Sequence, residues 1–573
     1  MTPDLPKWAT EMRDLFRSGA AAQFLIHGNV FDVVPAGGRL LPLAAFLDDV
    51  MFANYDVVLR YDRSRGVRAS RGNADWSEWL TNALGPEGAG PSLLREPAAA
   101  LELVDRYLLR TLNLQALANG GGKAPRRIAV VIEFAEFVVP RGDALQLGGP
   151  FAANVVKVLG WANDPAIVQA NIVTVLVSEG LHDLNTLVVE NPHAAALHVP
   201  LPDEAATRAY VNALAQTEFP ALAEQSEVPI DAVGTRLTGL SRVGARTAIA
   251  LALRNDRKIT AAWLARIKKD MIERECGDLL EFIESPFTLD NVAGLDAVKR
   301  WLREDATLLR RGAVHALPMG YLIAGRIGTG KTFIVQCWAG ELGIPCVVFK
   351  NFRDRWVGAT ESNLEKIFAV LRALGQVVVF VDEADQAAGR RESGDGDSGL
   401  SGRVYSMLAK EMSDTRNRGR ILWVFATSRP DLLEVDLKRQ GRLDVHIPLF
   451  PPETPEERRA LLLAIARKLK FPLTETDLPA LDDGKGLGGH ELEGVLVRAL
   501  RIHELAEPPK RLLKEVLAEV LAEVRPNPHT RKLEYMDLVA VKECTDARFL
   551  PARFKDLSPE ELETRIDALR KFV

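Results

Sequence analysis

The fold of this chain is decided by the segment Gly325-Arg326-Ile327-Gly328-Thr329-Gly330-Lys331-Thr332. It matches the pattern GxxxxGK[ST], follows an apolar run and precedes a helical pattern. The glycines let backbone N–H groups curl around phosphate oxygens, and the start of the following helix adds partial positive charge. Lys331 is expected to reach the β and γ phosphates, and Thr332 to offer its hydroxyl to Mg²⁺. The segment therefore predicts a site for ATP with Mg²⁺.

Around this segment, short apolar runs alternate with amphipathic stretches, which is typical of a parallel sheet covered by helices. The predicted strands are residues 319–324, 345–349, 377–381, 421–426 and 445–449. Helical periodicity covers residues 332–342, 361–374 and 404–412 between them. After Pro451-Pro452 the pattern is helical only, over residues 456–470, 490–507, 510–524 and 534–543, which indicates a helical lid.

The first half of the chain repeats this plan. Its apolar runs are residues 23–27, 56–61, 128–132, 172–177 and 195–199, with similar order and spacing. The closing segments, residues 197–204 and 445–452, are also alike, and a helix is predicted after each. A helical stretch over residues 260–283 is expected to end the first half, with the boundary at Ser285-Pro286. We infer two modules of one architecture.

Composition narrows the classes of function. The chain has 573 residues, a net charge of -5 and a pI near 6.1, so it carries no general attraction to nucleic acid. No window approaches the uninterrupted apolar run of a membrane span, and no basic-then-apolar leader is visible, so a cytoplasmic protein is expected. The four cysteines show no CxxC pairing and are interpreted as free thiols.

A second motif ends the third predicted strand of the second half. Residues 377–381 are followed by the adjacent carboxylates Asp382 and Glu383, about fifty residues after the glycine-rich loop. Asp382 is expected to hold Mg²⁺ and Glu383 to polarise the attacking water as a general base. The structural alternative is that the two acids cap the next helix.

Four further motifs accompany the loop and the acid pair. They are Asp290-Asn291-Val292-Ala293-Gly294-Leu295, Trp356-Val357-Gly358-Ala359-Thr360-Glu361, Ala426-Thr427-Ser428-Arg429-Pro430-Asp431 and Arg439-Gln440-Gly441-Arg442-Leu443-Asp444. With them, residues 287–550 resemble a module of the AAA clade of AAA+ ATPases. The resemblance implies an α/β fold of two tandem AAA+ modules, each with a parallel five-stranded P-loop core and a helical lid. It divides the chain into a degenerate module at 1–284 (core 1–200, lid 201–284), an ATPase core at 285–452 and a lid with C-terminal helices at 453–573.

The resemblance also implies roles for single residues. Asn291 and Ala293 would border the adenine, and Ser428 would take the sensor-1 position. The nucleotide contacts implied in the loop are Gly325, Gly328, Thr329, Gly330, Lys331, Thr332 and Phe333. The family usually has Asn at the position of Ser428, and the shorter hydroxyl predicts slow hydrolysis. A sensor-2 arginine has no counterpart in residues 488–492, which are similar to the lid motif of the AAA clade.

Two further implications concern assembly and substrate. Arg439 and Arg442 would act as arginine fingers on the ATP of a neighbouring subunit, since a guanidinium neutralises charge that builds on the γ-phosphate. Without the family pattern, an ion-pair cluster with Asp444 is the alternative. Trp356, Val357 and Gly358 fall where threading proteins of this family carry the aromatic pore loop that grips an extended polypeptide. The alternative there is a tryptophan packed at a helix start.

The first module lacks these features. Its counterpart of the phosphate loop, residues 27–32, contains no lysine followed by Ser or Thr, and Ile132-Glu133-Phe134 replaces the acid pair. The glycine-rich residues 120–123 follow no strand and are interpreted as a turn. We expect a degenerate module that does not bind ATP in the usual way, an arrangement that loosely resembles a plastid and cyanobacterial AAA family.

Three functions remain open at this point. The first is a homo-hexameric ring that hydrolyses ATP to remodel or thread a protein substrate. The second is a nucleic-acid motor or loader, for which Arg353 and Arg355 beside Trp356 are the available cations. The third is a slow nucleotide-controlled switch or assembly factor, which Ser428 and the degenerate module would permit. Nucleic acid is the less favoured partner because the chain is acidic overall.

Overall fold

The computed structural model describes two compact units. The described residues are 5–85, 95–118, 126–142, 148–170, 172–254, 258–276, 279–283, 285–349, 361–387, 406–471, 473–481, 487–507, 511–525 and 527–573. The first unit comprises residues 1–272 with 359–373, and the second comprises residues 273–358 with 374–573. Each unit contains a six-stranded sheet.

The sheet of the first unit has five parallel strands and one antiparallel edge strand. In chain order its elements are β1 Gln23–Gly28, β4 Val57–Asp62, β5 Gly66–Arg71, β6 Ile128–Glu133, β7 Ile172–Val177 and β8 Ala194–Val199, and a separate hairpin pairs β2 Val33–Ala36 with β3 Arg39–Pro42. The order across the sheet is β5-β4-β6-β7-β1-β8, and only β5 runs antiparallel to its neighbour. Successive side chains enter two cores: Phe24 and Ile26 lie in one hydrophobic cluster and Leu25 in the other. The sheet is therefore covered on both faces.

Helices cover this sheet and then follow it. Those around the sheet are Lys7–Arg17, Leu43–Phe46, Asn73–Leu84, Pro97–Ala118, Gly149–Asn163, Pro165–Gln169 and Thr186–Val189, with a π-helical turn at Leu47–Met51. The helices after β8 are Glu204–Thr217, Leu222–Gln225, Ile230–Leu237, Arg242–Arg254 and Ala261–Glu275. Asp203 begins this helical region by accepting the N–H of Ala206 at 2.8 Å, which is an N-cap.

The second unit repeats the sheet. Its strands are β9 Leu280–Ile283, β10 Gly320–Ala324, β11 Cys346–Phe349, β12 Val377–Val381, β13 Ile421–Thr427 and β14 Val445–Pro448. The order is β14-β10-β13-β12-β11-β9, and β9 is the antiparallel edge strand. All five residues of β12 are buried, as expected for a strand covered on both faces. The five parallel strands of the two sheets thus share one order, and each sheet has its antiparallel strand at the same edge.

The helices of the second unit flank the sheet and build the lid. They are Asp296–Arg310, Lys331–Leu342, Ala384–Ala387, a helix over residues 406–412, Pro455–Lys468, Gly489–Leu505, Leu513–Glu523, Thr530–Lys542, Ala552–Lys555 and Pro559–Arg570. The helix Glu361–Leu374 stands between β11 and β12 in the chain. Thr454 and Glu457 form a capping box at the first lid helix, with Pro455 at its first position. Leu462, Val495 and Leu517 are buried in a separate lid core.

The tandem α/β fold with helical lids is confirmed, and the structure adds two corrections. Each predicted five-stranded parallel sheet gains a sixth, antiparallel edge strand, β5 or β9. The helix expected over residues 260–283 ends at Glu275, because Leu280–Ile283 pairs with β11 of the second sheet. The last residues of the range 1–284 therefore belong to the second unit.

Two smaller expectations can also be compared. The four cysteines are free thiols, as predicted, and three of them are buried. Over the described part of the chain, none of the helices has the length and apolarity needed to cross a bilayer.

Candidate functional site

The glycine-rich loop lies between β10 and the helix Lys331–Leu342. Its three glycines have positive φ angles: 156° at Gly325, 88° at Gly328 and 84° at Gly330. These backbone conformations favour glycine, and at Gly325 a Cβ would also collide with the carbonyl oxygen of Leu449. The turn places the start of the helix at Lys331, where unsatisfied N–H groups and the helix dipole favour an anion.

A cavity of about 760 Å³ opens in front of this helix. Its lining includes these residues predicted from the sequence: Asn291, Ala293, Gly328, Thr329, Gly330, Lys331, Thr332, Phe333, Asp382, Glu383 and Ser428. Gly325 does not line the cavity and lies in the turn behind it. The structure therefore brings together groups that the sequence places nearly 140 positions apart.

Lys331 is held by oxygen atoms of its own unit. Its Nζ donates to the carbonyl oxygens of Gly325 at 2.7 Å and Arg326 at 3.1 Å, and to Ser428 Oγ at 3.0 Å. Burial lowers the pKa of Lys331 to about 8, although the nearby carboxylate of Asp382 acts in the opposite direction. An anion in the cavity would therefore stabilise the charged form of this lysine.

Hydroxyl and carboxylate groups meet beside the lysine. Thr332 Oγ1 donates to Asp382 Oδ2 at 2.8 Å, and the other oxygen of Asp382 accepts the N–H of Glu383 at 2.9 Å. Oxygen donors of these two types are the ligands that Mg²⁺ prefers, so Thr332 and Asp382 fit that ion. The Glu383 side chain is exposed and its φ is 47°, a strained conformation that points to a functional role.

Other walls of the cavity come from separate segments. Asn291 belongs to the short turn Leu289–Asn291, where its Oδ1 accepts the N–H of Thr288 at 2.9 Å. The ring of Phe333 packs against Phe287 with centroids 5.6 Å apart. On the lid side, the N–H of Gly489 donates to the carbonyl oxygen of Gly328 at 3.0 Å. The lid is therefore joined directly to the phosphate loop.

Several further groups at this site were not predicted from the sequence. Asp385 accepts a hydrogen bond from Thr427 Oγ1 at 2.6 Å, next to Ser428. From the lid, Lys468 and His490 line the cavity. The segment 549–551 and Glu453 line it as well. His490 had a signal in the motif at 488–492, whereas Lys468 and the C-terminal residues had none.

The two predicted finger arginines lie away from this cavity. Arg439 is 58% exposed and its Nε is 2.8 Å from Asp436 Oδ1. The Arg442 side chain is 9% exposed, pairs with Asp436, and donates to Ser413 Oγ at 2.7 Å. Both pair with Asp436 and not with Asp444, the partner considered from the sequence. Arg439 is the more accessible of the two.

Other predicted functional segments lie outside the described residues. They are the pore-loop residues Trp356, Val357 and Gly358 and the neighbouring Arg353 and Arg355. The glycine-rich residues 120–123, interpreted from the sequence as a turn, also lie outside the described residues.

In the first unit, the counterpart of the phosphate loop makes internal contacts. Asp32 is 3% exposed and accepts the N–H groups of Arg242 at 2.9 Å and Val243 at 3.0 Å, at the start of the helix Arg242–Arg254. It also accepts from Asn29 Nδ2 at 2.9 Å. The carboxylate of Asp32 therefore occupies the start of the helix Arg242–Arg254.

The counterpart of the acid pair in the first unit is neutralised. Glu133 receives Arg60 Nη2 and Arg68 Nη2, each at 2.6 Å, and Arg60 is buried. Phe134 stands at the position that corresponds to Glu383, and its φ of 53° is close to the 47° of Glu383. Its side chain is an exposed ring in place of a carboxylate. The rings of His27 and His198 lie 5.1 Å apart, and burial followed by the nearness of His198 lowers the pKa of His27 to about 4.

Family models match both units. Residues 2–200 match the N-terminal Rossmann-like domain of AAA+ chaperones, and residues 206–277 match the second helical domain of AAA+ chaperones. Residues 321–450 match the ATPase family associated with various cellular activities (AAA).

Curated relatives show the same likeness over part of the chain. An ATP-dependent zinc metalloprotease FtsH 3 from Sphaerobacter thermophilus is 32% identical over 248 residues, which are 42% of this chain and 50% of that protein. A cell division cycle protein 48 homolog from Archaeoglobus fulgidus is 29% identical over 261 residues, which are 42% of this chain and 35% of that protein. The matches therefore span half or less of these relatives.

Proposed function

Because this chain belongs to the AAA+ ATPases, we propose that it hydrolyses ATP in its second unit to remodel or thread protein substrates. The observation that carries this proposal is the set of groups around one cavity. Lys331 stands at a helix start, the Thr332 hydroxyl meets Asp382, and Glu383 follows at the end of a buried strand. Phosphoryl transfer needs this combination of cation, metal ligands and base.

Each residue has one task in this proposal. The N–H groups at the start of the helix Lys331–Leu342, together with Lys331 Nζ, bind the phosphates of ATP. Lys331 exchanges its present acceptors, two loop carbonyls and Ser428 Oγ, for phosphate oxygens. Thr332 and Asp382 hold Mg²⁺, which supplies positive charge to the phosphates when bound. Glu383 orients the attacking water and accepts its proton.

Assembly into a homo-hexameric ring is part of the same proposal. Arg439 and Arg442 complete the site of a neighbouring copy, and such head-to-tail completion favours a closed ring. The exposed position of Arg439 supports its contact with a neighbour, whereas Arg442 first has to leave Asp436. Trp356 would contact the polypeptide, and the degenerate first unit would form a scaffold or recruiting tier. A cytoplasmic location, as expected from the sequence, belongs to this proposal.

The test combines two substitutions with a choice of stimulant. Lys331→Ala removes the phosphate-binding cation, so neither ATP binding nor hydrolysis is expected. Glu383→Gln keeps ATP binding and lowers kcat by about 100-fold or more, because only the base is removed. Sizing of Glu383→Gln with ATP is expected to show a hexamer, and an unfolded protein is expected to stimulate the wild-type ATPase.

Three outcomes would contradict parts of the proposal. A monomer of Glu383→Gln with ATP contradicts the ring. Stimulation by single-stranded DNA or RNA, without stimulation by an unfolded protein, supports a nucleic-acid motor instead. Wild-type turnover as low as that of Lys331→Ala, together with ATP-dependent partner binding, supports a switch.

A further inference from the structure

The C-terminal segment of the second unit reaches the back of the nucleotide cavity. Phe549, Leu550 and Pro551 line the cavity, and they stand between the helices Thr530–Lys542 and Ala552–Lys555. The ring of Phe554 packs on Phe450, another lining residue, with centroids 5.1 Å apart. The segment between these two C-terminal helices is therefore part of the wall of this site.

A buried carboxylate lies behind the phosphate loop in the same region. Asp537, on the helix Thr530–Lys542, is 4% exposed. Its Oδ2 is 3.8 Å from Arg326 Nη1 and 3.8 Å from Arg553 Nη2, whereas its Oδ1 is buried without a hydrogen-bond partner among the described residues. Arg553 also pairs with Glu453, with its Nε 2.6 Å from Glu453 Oε1, and Glu453 lines the cavity.

This carboxylate is costly for the fold. Burial raises the pKa of Asp537 to about 6, despite the opposing effect of Arg326 and Arg553. A buried ion pair of open geometry, with one orphan oxygen, contributes little net stability. Net stabilisation of the fold therefore does not account for Asp537 beside this site.

Arg326 provides that connection. It is the second residue of the phosphate loop, and its side chain is 12% exposed. Its carbonyl oxygen accepts from Thr329 Oγ1 at 2.9 Å and from Lys331 Nζ at 3.1 Å. A fixed Arg326 side chain therefore restrains the backbone that holds the loop hydroxyl and the phosphate-binding lysine.

We propose that Asp537 is a positioning residue for the ATPase reaction, which acts through Arg326 to hold the phosphate loop in its nucleotide-binding conformation. The inference rests on the proposed ATPase function and gives the helix Thr530–Lys542, which carries Asp537, a part in it. Asp537 touches neither substrate nor metal in this role, so it acts before chemistry, on the binding of ATP.

A double-mutant cycle tests the inference. Asp537→Asn keeps the shape of the side chain and removes its charge; because loss of one partner of a buried ion pair destabilises a fold, the melting temperature of the variant is measured beside its activity. We expect the KM for ATP to rise about 5- to 10-fold with kcat within about twofold of wild type, because binding geometry and not the chemical step is changed. Arg326→Met is expected to give the same rise, and the double variant no more than either single one. Glu563→Gln, which breaks the exposed pair with Lys542 on the last helix, is the matched control and should leave KM unchanged.

The outcomes separate this inference from the function on which it rests. An unchanged KM in Asp537→Asn, additive effects in the double variant, or a loss of kcat alone would overturn the positioning role while wild-type ATPase stands. A wild-type chain that neither binds a fluorescent ATP analogue nor hydrolyses ATP would instead overturn the proposed function. Thermal melting of each variant confirms that the second unit is folded, and Arg326→Met keeps the test decisive if Asp537→Asn unfolds.

Discussion

Ser428 shares the hydrogen bond of the phosphate-binding lysine. Its hydroxyl lies 3.0 Å from Lys331 Nζ, at the end of β13 and at the edge of the cavity. A serine side chain ends closer to the backbone than the asparagine usual in the AAA clade. Its hydroxyl therefore accepts a hydrogen bond from Lys331 more readily than it reaches a group farther into the cavity.

Ser428→Asn is expected to raise kcat about 3- to 10-fold, because a longer amide donates directly where charge develops on the phosphate or the attacking water. Steady-state phosphate release at saturating ATP measures the effect. Ser428→Ala, which removes the polar group, is the comparison and should lower kcat. An asparagine variant no faster than wild type would show that the length of this side chain does not limit hydrolysis.

Asp305 gives a pH dependence that can be separated from catalysis. It is buried on the helix Asp296–Arg310 and accepts from Tyr321 Oη at 2.9 Å. Burial raises the pKa of Asp305 to about 6, with Glu304 adding to the shift and the Tyr321 hydrogen bond opposing it. An acid whose pKa is raised on folding stabilises the protein fully below its unfolded pKa, and this contribution is lost as the pH rises through about 6.

Asp305→Asn is therefore expected to stabilise the second unit at pH 8, by up to about 3 kcal/mol, while making little difference near pH 4. The asparagine oxygen keeps an acceptor for Tyr321. Thermal melts of the two proteins across this pH range check the sign. A variant less stable than wild type at pH 8 would contradict the prediction.

At the scale of elements, the two units use the same strand order for different purposes. The loop after β10 leaves the helix start at Lys331 facing a cavity, whereas the loop after β1 sends Asp32 to the start of the helix Arg242–Arg254. In the first unit a carboxylate of the chain stands at a helix start, whereas in the second unit the helix start at Lys331 is open to phosphate. The Asp32 side chain thereby links the loop after β1 to the helix Arg242–Arg254.

Asp32→Ala is expected to weaken the contact between this loop and the helix start by about 2 kcal/mol, because the N–H groups of Arg242 and Val243 lose their charged acceptor. Hydrogen exchange should become faster at the first turn of Arg242–Arg254. Asp203→Ala removes the cap of a different helix of the same unit, Glu204–Thr217, and should leave that first turn unchanged. Unaltered exchange there in Asp32→Ala would contradict the linking role.

The sequence predicts those elements whose pattern is decided locally. The ten parallel strands were found within about two residues, because each is a short apolar run bounded by turn residues. The edge strands β5 and β9 were missed: Gly66–Arg71 is polar, and Leu280–Ile283 has four residues, so pairing with a neighbour decides their state. Contacts such as Arg326 with Asp537 carry no local pattern at all, since only the folded second unit brings them together.

At the scale of the whole molecule, one unit is built to respond to nucleotide and the other to keep its shape. The cavity of the second unit contains Lys331, whose charged form an anion would stabilise. In the first unit, Asp32 and Glu133 already have their donors. A ligand that binds one folded region stabilises that region by mass action and lowers the rate of its opening.

ATP with Mg²⁺ is therefore expected to slow hydrogen exchange in peptides that contain residues 325–342, by about 10-fold or more at concentrations far above Kd. Peptides that contain residues 27–33 should keep their exchange rate, because this segment has no lysine for phosphate and the N–H groups of residues 28–30 already donate to carbonyl oxygens of the same unit. Lys331→Ala with ATP separates direct binding from transmitted effects, since it is expected to lose the protection at 325–342. Protection of residues 27–33 in that variant would show that the first unit itself binds nucleotide, and the division of labour between the units would then be wrong.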